Sequence, residues 1–211
     1  MINMITTLKK KIFASIIVTQ LFLMGCSTHV VVVSEHPTAL IKELPYKIGL
    51  VLDNSFTDYS FVREKDDEKI TISLGKSQSE LLNQTFNSMF QGVSEFTARP
   101  LSPTKPLDLY ISVIVEDLQL SLPRETSVNV FEIWIKYKLE ILDSKGSSIY
   151  EWIISSYGRT QTRFLGSQER ALHQATKAAL RDAGVQIVTD FRQIPEILNW
   201  INIKKAPKNE S

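Results

Sequence analysis

The chain has 211 residues, of which 43% are hydrophobic, the proportion of an ordinary globular protein and not of a disordered one. Its 24 Lys and Arg residues are balanced by 23 Asp and Glu residues, so the net charge of +1 gives no electrostatic basis for binding nucleic acid or an anionic surface. The single cysteine cannot form an intrachain disulfide or a cysteine-based metal site.

The first 25 residues have the three parts of a secretory signal peptide. Three lysines at 9–11 precede an apolar run at 12–22, and the small residue Gly25 closes the segment in front of Cys26. A transmembrane helix would need about 20 apolar residues, and this run is roughly half as long. A buried amphipathic helix would need a polar face at helical spacing, which the run lacks. The sequence therefore favours a signal peptide at 1–25.

The motif Leu23-Met24-Gly25-Cys26 closely resembles the lipobox of bacterial lipoproteins. The resemblance implies that a signal peptidase cuts in front of Cys26 and that this cysteine receives acyl chains such as palmitate. It also implies sorting to the periplasmic face of the outer membrane, because Ser27 and not Asp follows the cysteine. Loss of the three lysines at 9–11 would leave 21 basic and 23 acidic side chains. The lipid, and not charge, would therefore hold the protein at the membrane.

The remainder of the chain divides into a tether, one domain and a tail. Residues 26–45 form the predicted lipidated N-terminus and tether, in which four valines at 30–33 favour a short strand or extended segment. Residues 46–203 have the length and composition of a single domain. The polar stretch 204–211 is predicted to be a flexible tail.

The first half of the domain combines short strands with one helix. Ser77 and Glu80 have the spacing of a capping box, and an apolar stripe at helical spacing follows them, which predicts an amphipathic helix. The predicted elements are a strand at 46–52, a hairpin of 59–62 with 69–74, a helix at 78–92, a strand at 93–98 and a loop at 99–106.

The second half carries the clearest pattern in the chain. Apolar and mostly charged side chains alternate along 131–141, and 143–146 supplies the turn of a long antiparallel hairpin. Ser167 is the predicted N-cap of the last large helix, and Gly184 weakens the middle of that helix. The predicted elements are a strand at 107–115, a loop at 119–127, a hairpin over 128–160, a helix from 167 and a short helix opened by Pro195. Together the two halves predict an α+β fold, with an antiparallel or mixed sheet and two main helices packed on one face.

Motifs for catalysis are missing from the sequence. There is no G-x-S-x-G, H-E-x-x-H, P-loop or G-x-G-x-x-G. His29 and His36 lie in the tether, where a solvated linker is favoured over a metal site, and His173 lies on a helix. The pair Glu116-Asp117 ends a strand without other polar groups that converge on it. We therefore predict a protein that is not an enzyme, with no catalytic residue, no metal and no cofactor.

Two tryptophans of the long hairpin are candidate partner contacts. Trp134 shares a face with Glu132, Lys136 and Lys138, so it would be an exposed aromatic side chain if no helix covers that face. The alternative is that Trp134 packs beneath a loop or against Trp152 across the strands. The sequence leaves both arrangements open.

The order of elements resembles that of small envelope lipoproteins of Gram-negative bacteria, the YajG-type family and the auxiliary lipoproteins of ABC-type transport systems. The shared features are the lipobox, an early strand at 47–52, a helix after Gly75-Lys76-Ser77 and a strand–turn–strand unit before an Ala-rich helix. The resemblance implies a non-enzymatic, membrane-tethered periplasmic role. Because a strong anchor signal stands beside an absent active site, we predict an accessory protein that docks to an envelope partner in assembly, transport or a structural role. The alternative is a ligand-binding component of a transport system for lipids or small molecules.

Overall fold

The computed structural model describes residues 26–32, 41–100, 106–161 and 166–205. Within these ranges the strands are β1 (Cys26–Val31), β2 (Leu44–Val51), β3 (Ser60–Lys65), β4 (Glu68–Ser73), β5 (Phe90–Phe96), β6 (Leu109–Ser121), β7 (Val130–Asp143) and β8 (Ser148–Gln161). The helices are α1 (Asn54–Thr57), α2 (Gly75–Met89), α3 (Gln168–Asp190) and α4 (Pro195–Lys205), with 3-10 turns at Pro123–Glu125 and Phe191–Gln193. The predicted signal peptide and the last six residues of the chain lie outside the described residues.

The strands form two sheets. A small sheet has the order β1-β4-β3, in which β1 is parallel and β3 antiparallel to β4. A large sheet has the order β5-β2-β6-β7-β8, in which β2 is parallel to both of its neighbours and the other pairs are antiparallel. This confirms the predicted α+β fold with a mixed sheet and a long hairpin in the C-terminal half.

The inner face of the large sheet carries the hydrophobic core. The odd-numbered side chains of β7 from 131 to 141 are buried, as the alternation predicts, and α3 packs across β7 and β8. α2 packs beside α3 and against β5. One continuous cluster of buried apolar side chains joins the large sheet, the helices and the small sheet. The two main helices therefore lie on one face of the large sheet, as predicted.

Small residues let α3 approach β8 very closely. The helix buries a stripe of alanines, Ala171, Ala175, Ala179 and Ala183, against the sheet. Opposite them, a Cβ atom added to Gly158 would lie 2.0 Å from the carbonyl oxygen of Ala175. A larger side chain at 158 would force the helix away from the sheet, so the glycine sets the spacing of the two layers.

The predicted capping box is wrong. α2 begins at Gly75, and Ser77 lies inside the helix, where its hydroxyl donates to the carbonyl of Val32 at 2.6 Å. The backbone N–H groups of Leu74 and Gly75 donate instead to the carbonyl of Tyr59, both at 3.0 Å. A backbone carbonyl from the preceding hairpin thus takes the place of a capping side chain at this helix start.

Four further sequence signals concern where elements begin, end or weaken. β6 continues to Ser121, so the predicted loop at 119–127 begins later. α3 runs unbroken through Gly184, where α2 comes close: a Cβ atom added to the glycine would lie 2.9 Å from Cδ1 of Leu81. The N-cap at Ser167 is confirmed, since its hydroxyl accepts the backbone N–H of Arg170 at 3.2 Å. Pro195 opens α4 as predicted.

The segment predicted as a tether starts with a strand. β1 begins at Cys26, which pairs in register with Glu68 of β4. His36 and the other residues of 33–40 lie outside the described residues. Of the helices that are described, none combines the length and the apolar character needed to cross a membrane.

Candidate functional site

The outer face of the β6–β7–β8 hairpins carries the half-buried and exposed side chains of the large sheet. Alternation along β7 turns the even-numbered residues away from the helices. We call this surface the open face and define it by the outward side chains of the three strands. These are Ile114, Asp117, Gln119 and Ser121 on β6, Glu132, Trp134, Lys136, Lys138 and Glu140 on β7, and Glu151, Ile153, Ser155, Tyr157 and Arg159 on β8.

An aromatic pair lies on the open face, towards the end where β7 begins. Trp134 and Tyr157 are direct cross-strand neighbours, and their ring centroids are 5.0 Å apart with planes inclined by 39°. The hydroxyl of Tyr157 donates to Glu132 Oε1 at 2.7 Å. Burial and this bond to a carboxylate raise the pKa of Tyr157, so the hydroxyl stays a donor. The stacking and the hydrogen bond together hold the pair in place.

A groove of about 330 Å³ runs beside the aromatic pair. Its lining residues are Asp117, Gln119, Ser121, Trp134, Ile135, Lys136 and Ser155. Asp117 Oδ2 accepts from Gln119 Nε2 at 2.8 Å, and Lys136 Nζ lies 2.7 Å from Glu116 Oε2. The bond to Glu116 raises the pKa of Lys136. One wall of the groove is therefore aromatic and the other carries fixed charges.

A bulge in β6 shapes this groove. The pairing between β6 and β7 shifts by one residue between Val115 and Asp117, which places Asp117 opposite Lys136. Glu116 and Asp117, considered above as a carboxylate pair, have separate partners, Lys136 and Gln119. Of the two acids, only Asp117 lines the groove, whereas Glu116 holds the groove residue Lys136.

Exposed apolar side chains extend the open face along the strands. Ile114 and Ile153 are 38% and 40% exposed and lie on either side of Lys138. Lys138 forms an ion pair with Glu151 at 3.3 Å. Two large apolar side chains and an aromatic pair thus lie on the open face among charged residues.

The structure separates the two predicted tryptophans. Trp134 is partly exposed on the open face and stacks on Tyr157, and it does not pack against Trp152 across the strands. Trp152 pairs across the strands with Leu139 on the inner face, where its ring centroid lies 6.3 Å from that of Phe191. Trp134 is therefore on the open face and Trp152 on the face that the helices cover, so the two do not form one surface.

The edge of the large sheet next to the open face is closed by side chains of α3. The backbone N–H of Tyr157 donates to Asp182 Oδ2 at 2.9 Å, and Gln186 Nε2 donates to the carbonyl of Ser155 at 3.1 Å. These groups would otherwise be free on the edge strand β8. Since these two groups are occupied, they cannot pair with an added strand at this part of β8.

The remaining predicted residues lie away from the open face. His29 Nε2 is 3.3 Å from the hydroxyl of Ser73, and His173 lines a shallow cavity of about 250 Å³ between β1 and α3. In the described ranges, His, Cys, Asp and Glu side chains form no group of three or more that could hold a metal ion. Cys26 is the first residue of β1, and its lipidation stays a prediction.

Sequence reasoning found Trp134 but missed its partners. A regular hairpin counted outward from the turn at 143–146 would pair each residue of β7 with a β8 residue one position earlier than the structure shows. The pairing shifts by one residue between Ile141 and Leu142. Tyr157 comes opposite Trp134 only because of this irregularity, and Asp117 enters the groove because of the bulge in β6. Neither irregularity has a glycine or proline that would have signalled it in the sequence.

Comparison with family models gave no match for this chain. A search of curated proteins also gave no match. Among solved structures, the fold is similar to that of protein XCC0632 from Xanthomonas campestris, of family DUF330, with 9% identity, a TM-score of 0.50 and coverage of 77% of this chain and 91% of that one.

Two lipoproteins of known structure are also similar. Rare lipoprotein B from Shewanella oneidensis is 11% identical, with a TM-score of 0.43 and coverage of 75% and 98% of the two chains. A minor lipoprotein from Acinetobacter baumannii is 11% identical, with a TM-score of 0.42 and coverage of 71% and 92%. At these identities the similarity concerns the fold alone.

Proposed function

We propose that this chain is a lipid-anchored accessory protein on the periplasmic face of the bacterial outer membrane, and that its open face docks onto another envelope protein. The observation that carries the proposal is the groove beside Trp134 and Tyr157. Aromatic side chains that are already held in place lose little conformational entropy on binding, and such residues contribute most of the binding energy at protein interfaces.

The anchor part of the proposal depends on Cys26. The basic, apolar and small-residue segments before it are those of a signal peptide, and its lipobox implies lipid attachment. A lipid at Cys26 would hold the protein at a membrane without help from charge, which suits its nearly neutral composition. An anchored protein meets other membrane proteins at high effective concentration, so a docking surface of moderate affinity is sufficient.

Docking is favoured over the ligand-binding alternative by the filled interior. A ligand carrier of this architecture would hold its ligand between the sheet and the helices. In the described part of the chain that space is occupied by large side chains that are fully buried, among them Phe86, Phe90, Phe191 and Met89. The aromatic groove lies instead on the outside of the sheet. Trp152 faces the helices and is not included in the proposed docking surface.

Site-specific photo-crosslinking in membranes tests the docking surface. A photoreactive amino acid at Gln119, which faces outward beside Trp134, is expected to give a defined protein adduct. The matched control is the same amino acid at Val185, which is 59% exposed on α3. Trp134→Ala should reduce the yield of the adduct from position 119 by about tenfold or more, while Val185→Ala should leave it unchanged. Equal adducts from both positions would contradict docking through the open face.

Membrane fractionation tests the anchor separately. Cys26→Ala should release the protein from the membrane fraction, whereas Trp134→Ala should leave it there. A Cys26→Ala protein that still fractionates with the outer membrane would refute lipid attachment at this residue. Recovery of a lipid or small molecule with the wild-type protein, without any protein adduct at position 119, would favour the ligand-binding alternative.

A further inference from the structure

The proposed lipid attachment site is part of the folded domain. Cys26 is the first residue of β1 and pairs with Glu68, the first residue of β4. The pairing continues without a shift to Val31, which lies opposite Ser73. A lipid on Cys26 would therefore start directly at the end of a strand, with no free linker between the membrane and the small sheet.

Side-chain contacts connect this end of the small sheet to the large sheet and to α3. Glu68 accepts from Arg124 in the 3-10 turn after β6 and from Gln168 at the start of α3, both at 2.5 Å. Glu125 in the same 3-10 turn binds Lys65 at 2.9 Å and also binds Arg63 of β3. The first residues of β1 are thus fixed beside the turn from β6 to β7.

The most exposed apolar residue of the β6–β7 connection is at this end of the domain. Val128 is 65% exposed and precedes β7, which begins at Val130. An exposed valine at the same end of the domain as a lipid attachment point can contact the lipid surface. The charges nearby have both signs, with Lys65 and Arg124 beside the turn residues Asp66 and Asp67, so they give no preference for anionic lipid.

We propose that this end of the domain faces the membrane and that the long strands of the large sheet run away from it. We define the lipid-facing end by Asp66 and Asp67, the 3-10 turn Pro123–Glu125 and Val128. The partner is a lipid surface, and the proposal rests on the proposed lipid attachment at Cys26. The 14 residues of β7 span about 45 Å, so the turn with Lys145 lies far from the bilayer.

Depth-dependent fluorescence quenching tests this orientation. Cys26 carries the lipid in the mature protein, so an introduced cysteine would provide a free thiol for a fluorophore. Lipidated Val128→Cys and Lys145→Cys proteins are reconstituted into phosphatidylcholine vesicles that contain a lipid with a headgroup quencher. The label at 128 should be quenched strongly and the label at 145 hardly at all. The same result is expected with vesicles that contain anionic lipid.

The outcomes separate this proposal from the anchor itself. Protein that does not float with the vesicles would refute the anchor at Cys26, on which the orientation depends. Protein that floats, but with equal quenching at both positions or stronger quenching at 145, would overturn the orientation and leave the anchor intact.

A linker variant tests the cause of the orientation. Twelve Gly and Ser residues inserted after Ser27 would separate the lipid from the rest of β1 by about 20 Å on average. Because the domain could then rotate freely, quenching of the label at 128 should fall by half or more while the protein stays on the vesicles. Unchanged quenching in this variant would show that β1 does not set the orientation and would overturn the proposal.

Discussion

The close contact between β8 and α3 makes Gly158→Ala the most informative single change in the core. The added methyl group would lie 2.0 Å from the carbonyl oxygen of Ala175 and 2.4 Å from the backbone nitrogen of Ala179. Backbone atoms cannot rotate away as the end of a side chain can, so the helix itself must move. Overpacking of this kind costs about 1–3 kcal/mol, and we expect a value near the upper limit.

Gly92→Ala is the matched control in the same sheet. There the added methyl group would lie 3.4 Å from Cγ of Lys47, a flexible side chain. Neither Gly92 nor Gly158 has a positive φ angle, so the backbone conformation suits alanine at both positions. Each change gains about 0.4–1 kcal/mol through the unfolded state. The control should therefore be neutral or slightly stabilising, whereas Gly158→Ala should lose about 2 kcal/mol net.

Urea unfolding followed by tryptophan fluorescence measures both variants. A loss of about 2 kcal/mol corresponds to a Tm lower by about 4–8 °C in a domain of this size. The m-value should not change, because the unfolded state exposes the same surface. If Gly158→Ala has the same midpoint as Gly92→Ala, the helix does not lie as close to β8 as the structure shows, and the reasoning fails.

Three further changes test the contacts described above. Arg63 lowers the pKa of Glu125 from 4.5 to about 2. Glu125 therefore stabilises the fold fully above pH 4.5 and loses that contribution as the pH falls towards 2. In Glu125→Gln, the free energy of unfolding in urea should depend less on pH across this range than in the wild type. Tyr137→Phe removes the donor to the buried Gln78 Oε1 and should cost about 1–3 kcal/mol, and a loss below about 0.5 kcal/mol would contradict the buried bond. Asp182→Ala frees the backbone N–H of Tyr157 on the edge strand β8 and should promote self-association, seen as stronger concentration-dependent light scattering than in the wild type.

The sequence predicted those features that depend on residues close together in the chain. The alternation along β7 gave both the strand and its buried face, since a one-residue error would have placed charged side chains in the core. Ser167 gave the start of α3 because a hydroxyl at that position satisfies a free backbone N–H. In both cases the deciding interactions are close in sequence.

Long-range pairings could not be predicted in the same way. The capping box at Ser77 failed because the carbonyl of Tyr59, from a different element, accepts the first N–H groups of α2. The division into two sheets depends on β2 pairing in parallel with β5 and β6, and apolar runs do not specify parallel partners. The groove beside Trp134 depends on the shift at Asp117, which no local residue signals.

The proposed anchor and the proposed docking surface constrain each other. Trp134 is four residues along β7 from Val130, so in the proposed orientation it lies about 13 Å above the lipid-facing end. A partner that contacts Trp134 must therefore reach close to the bilayer, which favours a membrane-embedded or lipid-anchored protein over one that is free in the periplasm. The linker variant separates the distance of the open face from the bilayer from the chemistry of that face, because it raises the open face without changing its side chains. If a crosslink from Gln119 survives both the linker insertion and loss of the lipid at undiminished yield, the partner does not depend on the membrane, and the link between anchor and docking surface is wrong.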